Sequence, residues 1–446
     1  MSELQQLKDE ACKAIEENGH RIISLAKDIQ DNPELGFKEE RTSAKIAGAL
    51  KELGLGVKKS LAKTGLKTKI SGSKEAKVET NIAVLGELDA LVNSDHPESA
   101  PQTGAVHACG HHAQLANLIG VAYGFATTNV IEHLSGSISI MAVPAEEFID
   151  LEYRKKLIQQ GEIEYFSGKQ ELIRNGHFED IDAALIVHAD NSPERTVRSR
   201  ISMNGFLGKF VQFQGRSAHA GAEPEKGVNA LNAANIGLEA INARRETFLE
   251  KDVVRVHPII TKGGEEVNVI PSDVRMETYV RAKTVDAMLR ANEKVDQALK
   301  GGALSLGADV KISDYPGYLP FESSNVLANV FDKNAEMILG SDSVNEKCPH
   351  VTASTDMGDV AQLVPAIEPS IGGFEGALHS KDFKVVDEEM AFVIPSMITA
   401  CSLIDILTDE KRIDDVLGER EEKRGEKDYL NTLARMKSES TTKFME

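Results

Sequence analysis

Three short apolar runs, 82–85, 137–143 and 184–187, break off directly into polar residues: Gly86-Glu87-Leu88-Asp89, Pro144-Ala145-Glu146-Glu147 and His188-Ala189-Asp190. Runs of this length are short for core helices and have the length of strands buried on both faces. Helix-like stretches surround them. In 3–30, Leu4, Leu7, Ala11, Ile15, Ile22, Leu25 and Ile29 keep the helical period, and 40–53 and 113–124 read as further helices. Asn32-Pro33 ends the first, because the residue before a proline avoids the helical region. Strands alternating with helices predict an α/β domain built on a mostly parallel sheet.

The pattern then changes. Strands at 205–214, 253–260, 273–282 and 308–312 alternate with helices at 226–245 and 284–300, which is the βαββαβ order of a ferredoxin-like unit. At 446 residues the chain exceeds a usual single core, so two or more domains are expected, and this unit reads as one inserted into the α/β domain. The division read from this is a catalytic domain in two parts, 1–198 and 315–408, an inserted domain at 199–314, and a tail at 409–446. The tail is dense in charge and predicts a solvated helix or disorder.

A formal net charge of −19 argues against nucleic acid and against an anionic membrane as partners. The charged first ten residues do not read as a signal peptide, and no apolar run is judged to approach the ~20 residues of a membrane span. The scattered Cys12, Cys109, Cys348 and Cys401 make no disulfide framework, which predicts a reducing, cytoplasmic setting.

The chemistry concentrates in His107-Ala108-Cys109-Gly110-His111-His112. In an extended chain residues two apart point the same way, so Cys109 and His111 could reach one point. Thiolate and imidazole are common ligands of zinc-like ions. Glu146-Glu147 and His188 follow two of the strand runs directly. Taken singly, each has an ordinary reading: a chance Cys-x-His, a solvated loop pair, a hydrogen-bonded core histidine. Together they place sulfur, nitrogen and oxygen donors at the carboxyl ends of parallel strands, where open sheets bind ligands.

With these residues the chain resembles peptidase family M20, the aminoacylase and carboxypeptidase-G type of metallopeptidase, and within it the amidohydrolase subfamily. The matching segments are Asn32-Pro33-Glu34-Leu35-Gly36-Phe37, Leu88-Asp89-Ala90-Leu91, His107 to His111, Pro144 to Glu147, Gly215-Arg216-Ser217-Ala218-His219-Ala220, Asn268-Val269-Ile270-Pro271 and Leu378-His379. They follow the family's order over about 15–405. Ser354 to Val360 further resembles the branch of aminobenzoyl-glutamate hydrolase-like proteins.

The resemblance implies a zinc-peptidase-like catalytic domain, an inserted lid and dimerisation domain, and a homodimer. It also implies two divalent ions per subunit (zinc or manganese, with cobalt an option). Cys109 would bridge them, with His111, Glu147, His188 and His379 as the other ligands, and Glu146 would be the general base acting on a metal-activated water. His219 would reach the partner's active site to stabilise an oxyanion, although on its own it reads as a turn histidine near Gly221. Asn268 and Arg281 would grip a substrate carboxylate, Arg281 being equally readable as a surface charge. Asp89 would orient a ligand or cap the next helix, and Asp356 carries the same ambiguity. Three positions depart from the pattern: Glu87, His112 and Gln114. His20, His96, His133, His177 and His257 read as surface or structural.

The activity implied is metal-dependent hydrolysis of the amide bond in an N-acyl or aryl amino acid or a small peptide-like conjugate. A dipeptidase, an amino-acid deacetylase, an inactive ligand-binding homologue and a partner-binding protein are the alternatives.

Overall fold

The computed structural model describes residues 2–74, 79–345, 347 and 349–445. The chain forms two compact units. One comprises Met1–Ser202, Glu322–Pro349 and Asp359–Glu426; the other comprises Met203–Phe321, His350–Gly358 and Lys427–Glu446.

The first unit is built on a six-stranded sheet in the order Lys58–Leu61, Gly65–Ser71, Ser137–Val143, Asn81–Glu87, Ala183–Leu185, Ala366–Ile367. The last four run parallel, and the first two are added antiparallel at one edge. Every residue of Asn81–Glu87 and Ser137–Val143 is buried, as expected of strands covered on both faces. The covering helix His111–Ala126 is apolar nearly all round and packs against Glu3–Glu17, Gly19–Gln30 and Ile394–Leu407.

The stretch expected as one helix over 3–30 is two, Glu3–Glu17 and Gly19–Gln30, broken at Asn18. Asn18 and Gly19 are weak helix formers, and the Asn18 side chain bonds back to the Ala14 carbonyl. Helix Glu40–Glu52 is capped from outside: the Glu34 carboxylate accepts from the N–H groups of Arg41 and Thr42. The expected lack of a span-length apolar run needs correction. Glu388–Leu407 has the length and apolar composition of a bilayer-crossing helix, but 94% of its most apolar window is buried inside the unit.

The second unit has an antiparallel sheet in the order Arg255–Val256, Asp273–Ala282, Gly205–Gln214, Asp309–Pro316, Ser438–Thr442, with Ile259–Lys262 also paired to Asp273–Ala282. Helices Ala230–Arg244 and Val285–Leu306 pack together and supply its apolar layer with Val211, Phe213, Val274 and Val310. The strand expected over 253–260 is interrupted at His257-Pro258, since a proline cannot donate to the ladder.

The tail is ordered, and of the two expected alternatives it takes the helical one, with largely solvent-facing helices that nonetheless bury an apolar stripe. It forms helices Glu410–Glu421 and Glu426–Met436, which bury Ile413, Val416, Tyr429, Leu433 and Met436. It then forms strand Ser438–Thr442, paired with Asp309–Pro316. The segment Ser-Glu-Ser-Thr-Thr carries no apolar signal because its attachment is through backbone bonds, reinforced where Asp309 accepts from the N–H groups of Phe444 and Met445. Deleting 438–446 should therefore lower the stability of the second unit by about 2–5 kcal/mol, from several backbone bonds at roughly 1 kcal/mol each. Urea unfolding of the truncated chain with an unchanged midpoint would refute this.

Candidate metal centre

The donors converge at the carboxyl end of the parallel sheet. Strand Asn81–Glu87 delivers Glu87 and, two residues on, Asp89. Gly110, at φ +84°, caps helix His111–Ala126. A β-carbon there would stand 2.5 Å from that of Ala189, so the turn requires glycine. Cys109 and His111 thus meet across a helix-capping turn and not along the extended chain expected.

After strand Ser137–Val143, Ala145 takes φ +54°. Its N–H donates to Glu39 (2.8 Å), and the N–H of Glu147 donates to the Asp89 carboxylate (2.9 Å). Arg154, fully buried, donates to the Glu147 carbonyl and packs over the Phe37 ring. His188 Nδ1 bonds the Ala189 carbonyl at 2.8 Å, leaving Nε2 3.5 Å from the Cys109 sulfur. His379, at φ +65°, donates its N–H to the Ala108 carbonyl, and its Nε2 lies 3.2 Å from Cys109 Sγ and 3.3 Å from Glu147 Oε1.

Two ligand groups result, Cys109–His111–His188 and Cys109–Glu147–His379, each with donor atoms within 4.8 Å of one another. Cys109 is common to both. A third group, Glu87–His111–Glu146, adjoins them. The donor set fits cations. The near neighbours of buried His111 Nε2 and Glu147 Oε1 are other members of these groups, Glu87 at 3.0 Å and His379 at 3.3 Å, as expected of atoms gathered around cations. Burial and the Glu147 carboxylate push the Cys109 thiol well above its ordinary range, so ligation needs a cation close by to stabilise the thiolate. Burial lowers His188 and keeps it neutral, the ligating form. Burial works against a charged His111, but Glu87 and Asp89 outweigh it and raise its pKa.

Asp89 sits where two ligands are held at once: its carbonyl accepts from His111 Nδ1 (2.8 Å) and its carboxylate from Glu147 N–H. His219, Asn268 and Arg281 belong to the second unit. His219 is exposed and its Nδ1 accepts from the N–H groups of Gly221 and Ala222; the adjacent Ala220 N–H donates to the Asn268 carbonyl. Arg281 donates to Ser354 Oγ and lies over the rings of Phe206 and Tyr279. Near Asp356, it is the Thr355 hydroxyl that accepts from Met357 N–H at the start of helix Met357–Val360.

Sequence pattern does not mark Lys169, Arg154 or Glu39, and it shows Gln114 only as a departure. Gln114 accepts from the Glu87 N–H and donates to its carboxylate (2.9 and 2.8 Å), Lys169 pairs with Glu87 at 2.5 Å, and Glu87 stands 3.0 Å from His111 Nε2. Burial opposes its charge, but Lys169 and His111 hold the Glu87 carboxyl well below its usual range. No local signal points to Lys169, which lies 82 residues from Glu87. His112 contacts His107 and the edge of Phe392, and neither histidine ring has a hydrogen-bond partner among the described residues.

The profile of peptidase family M20/M25/M40 matches residues 83–400. The chain belongs to this family. It is 26% identical over 458 aligned positions to a Xaa-Arg dipeptidase of Mus musculus, covering 97% of this chain and 96% of the relative. It is 29% identical to an N-acetyl-L-cysteine deacetylase of Bacillus subtilis, covering 65% of this chain and 67% of the relative. Among solved M20 structures, a dinuclear metal-binding peptidase of Bacillus subtilis shares the fold with a TM-score of 0.65 at 21% identity, over 88% of this chain and 99% of the other. The M20 fold, an α/β catalytic unit on a mostly parallel sheet, and the hydrolase class are those expected from the motifs.

Two consequences can be measured. Replacing Lys169 by Met leaves Glu87 buried without its ammonium partner, and should cost about 3–5 kcal/mol in urea unfolding. The double variant Glu87→Gln/Lys169→Met should recover much of that; equal losses in both would refute the pairing. Glu39, by burial and the neighbouring Asp89, is raised from 4.5 to about 7. The native state therefore binds this proton more tightly than the unfolded chain. The stability it contributes is complete below pH 4.5 and lost as pH rises through 7. Glu39→Gln in metal-depleted protein should flatten the fall in stability between those values, and an unchanged pH slope would exclude it.

Proposed function

We propose that this M20 hydrolase cleaves the amide bond of a small N-acyl or aryl amino acid, or of a related peptide-like conjugate, with two divalent cations. The supporting observation is the position of Cys109, shared by two separate ligand groups. His111 and His188 would complete one site, Glu147 and His379 the other. Bound there, the cations would lower the pKa of water and polarise the scissile carbonyl. The mixed thiolate, imidazole and carboxylate set favours zinc, with manganese or cobalt as substitutes.

Glu146, 3.9 Å from His111 Nε2 and little exposed, takes the proton of the attacking water and passes it to the leaving amine. Asp89 and Arg154 hold the Glu146-Glu147 backbone while that proton moves. In the second unit, the His219 Nδ1 is engaged as acceptor, so its Nε2 bears the hydrogen and can donate to an oxyanion. That role belongs to a homodimer in which His219 serves the partner subunit's centre. Asn268 and Arg281 bind the substrate carboxylate, the guanidinium being pre-oriented over Phe206 and Tyr279.

A dipeptide substrate is a second reading, favoured by the near end-to-end match to the mouse Xaa-Arg dipeptidase. A panel of N-acyl amino acids, aroyl-glutamates and dipeptides separates the two. On whichever substrate turns over, Glu146→Gln should lower kcat by about 10²–10⁴-fold and leave metal content by elemental analysis unchanged. Chelation should abolish turnover and zinc or manganese restore it. Undiminished hydrolysis by Glu146→Gln, or by the fully chelated enzyme, would overturn the reading.

A further inference from the structure

Away from the metal centre, Cys12 on helix Glu3–Glu17 faces Cys401 on helix Ile394–Leu407, with the two sulfurs 3.4 Å apart. A covalent sulfur–sulfur bond is about 2.05 Å long, so an approach of about 1.4 Å would join them. A polar clamp fixes this facing. Lys8, one turn before Cys12, pairs at 2.7 Å with Asp405, one turn after Cys401, and donates to Asn334, which in turn donates to Asp405. We propose that Cys12 and Cys401 are a redox-active pair that closes to a reversible disulfide, a site independent of hydrolysis.

The two thiols are unequal in the way such chemistry requires. Cys401 is fully buried, whereas Cys12 is partly exposed. The two sulfurs share one hydrogen bond in which either can donate; with it, and with Lys8 close by, the Cys12 pKa is lowered against the opposing pull of burial. The same bond, together with burial, raises Cys401. Cys12, the accessible sulfur, is therefore the one that meets an oxidant, and buried Cys401 resolves the product.

With a low-molecular-weight disulfide such as oxidised glutathione, the Cys12 thiolate attacks one sulfur, the glutathione S–S bond breaks, and one glutathione leaves as thiolate. Cys401 then loses its proton and attacks the Cys12 sulfur, releasing the second glutathione. Two protein thiols become one disulfide, one glutathione disulfide becomes two thiols, and the two protons end on them. The bridge spans 389 residues of sequence, so it strongly restricts the unfolded chain. It ties the N-terminal helix to a helix that packs on His111–Ala126.

The test uses the metal-loaded full chain and oxidised glutathione. Non-reducing digestion and mass spectrometry should find the Cys12 and Cys401 peptides linked. Thiol titration under denaturing conditions should fall from the chain's four cysteines by two, reversibly with dithiothreitol, and the melting temperature should rise by several degrees. Cys401→Ser should trap glutathione on Cys12, and Cys12→Ser should leave Cys401 unmodified. The proposal fails if the folded protein yields no linked peptide, if urea-unfolded protein yields it equally well, or if Cys12 in the Cys401→Ser variant takes up no glutathione.

Discussion

Asp89 holds the centre together from below. Fully buried just beyond the central strand, it fixes the His111 ring through its carbonyl and the Glu147 backbone through its carboxylate. His111 opens one helix, and Glu147 follows a different strand. Nothing in local chain geometry would keep them in register to a fraction of an ångström without a shared anchor. Ligands set by such outer contacts are pre-oriented before any ion arrives.

Around this anchor lies an accumulation of buried acid. Glu39, Glu87, Asp89 and Glu147 are all nearly inaccessible, and the cations inside the same wall are Lys169 and Arg154. Lys169 neutralises Glu87 directly, while Arg154 spends its donors on the carbonyls of Glu147 and Phe166. Buried carboxylates without compensation are costly. The protein meets that cost partly by holding a proton on Glu39 and, in the proposed enzyme, by drawing divalent ions to the remainder. The electrostatics that hold the metals and those that hold the fold are thus one problem.

What the chain discloses in advance follows from how local each constraint is. His379 is legible only through the family resemblance, whereas the buried strands, the helix over 113–124, and Cys109, His111, Glu147 and His188 lie in short segments whose residue types suggest their chemistry. Long-range partners do not. Lys169 reads as one more lysine until Glu87 is placed beside it, and Gln114 reads only as a departure from the family pattern until its amide is seen gripping that carboxylate. The Ser438–Thr442 strand is hidden because backbone pairing leaves no trace in side-chain pattern. Asn18 splits a helix whose apolar period runs straight through the break, since periodicity reports which face is buried and not whether the axis is continuous.

That terminal strand has a consequence for assembly. A sheet edge is an open template for another chain, and here Ser438–Thr442 is itself the edge strand on one side, five polar residues long, with Glu439 held by Lys311. The opposite edge offers only Arg255–Val256 and Ile259–Lys262, two short pieces separated by a proline. That interruption breaks the row of backbone groups a further strand would need on that side. Both edges are thus short or interrupted, which discourages edge-to-edge pairing with other chains.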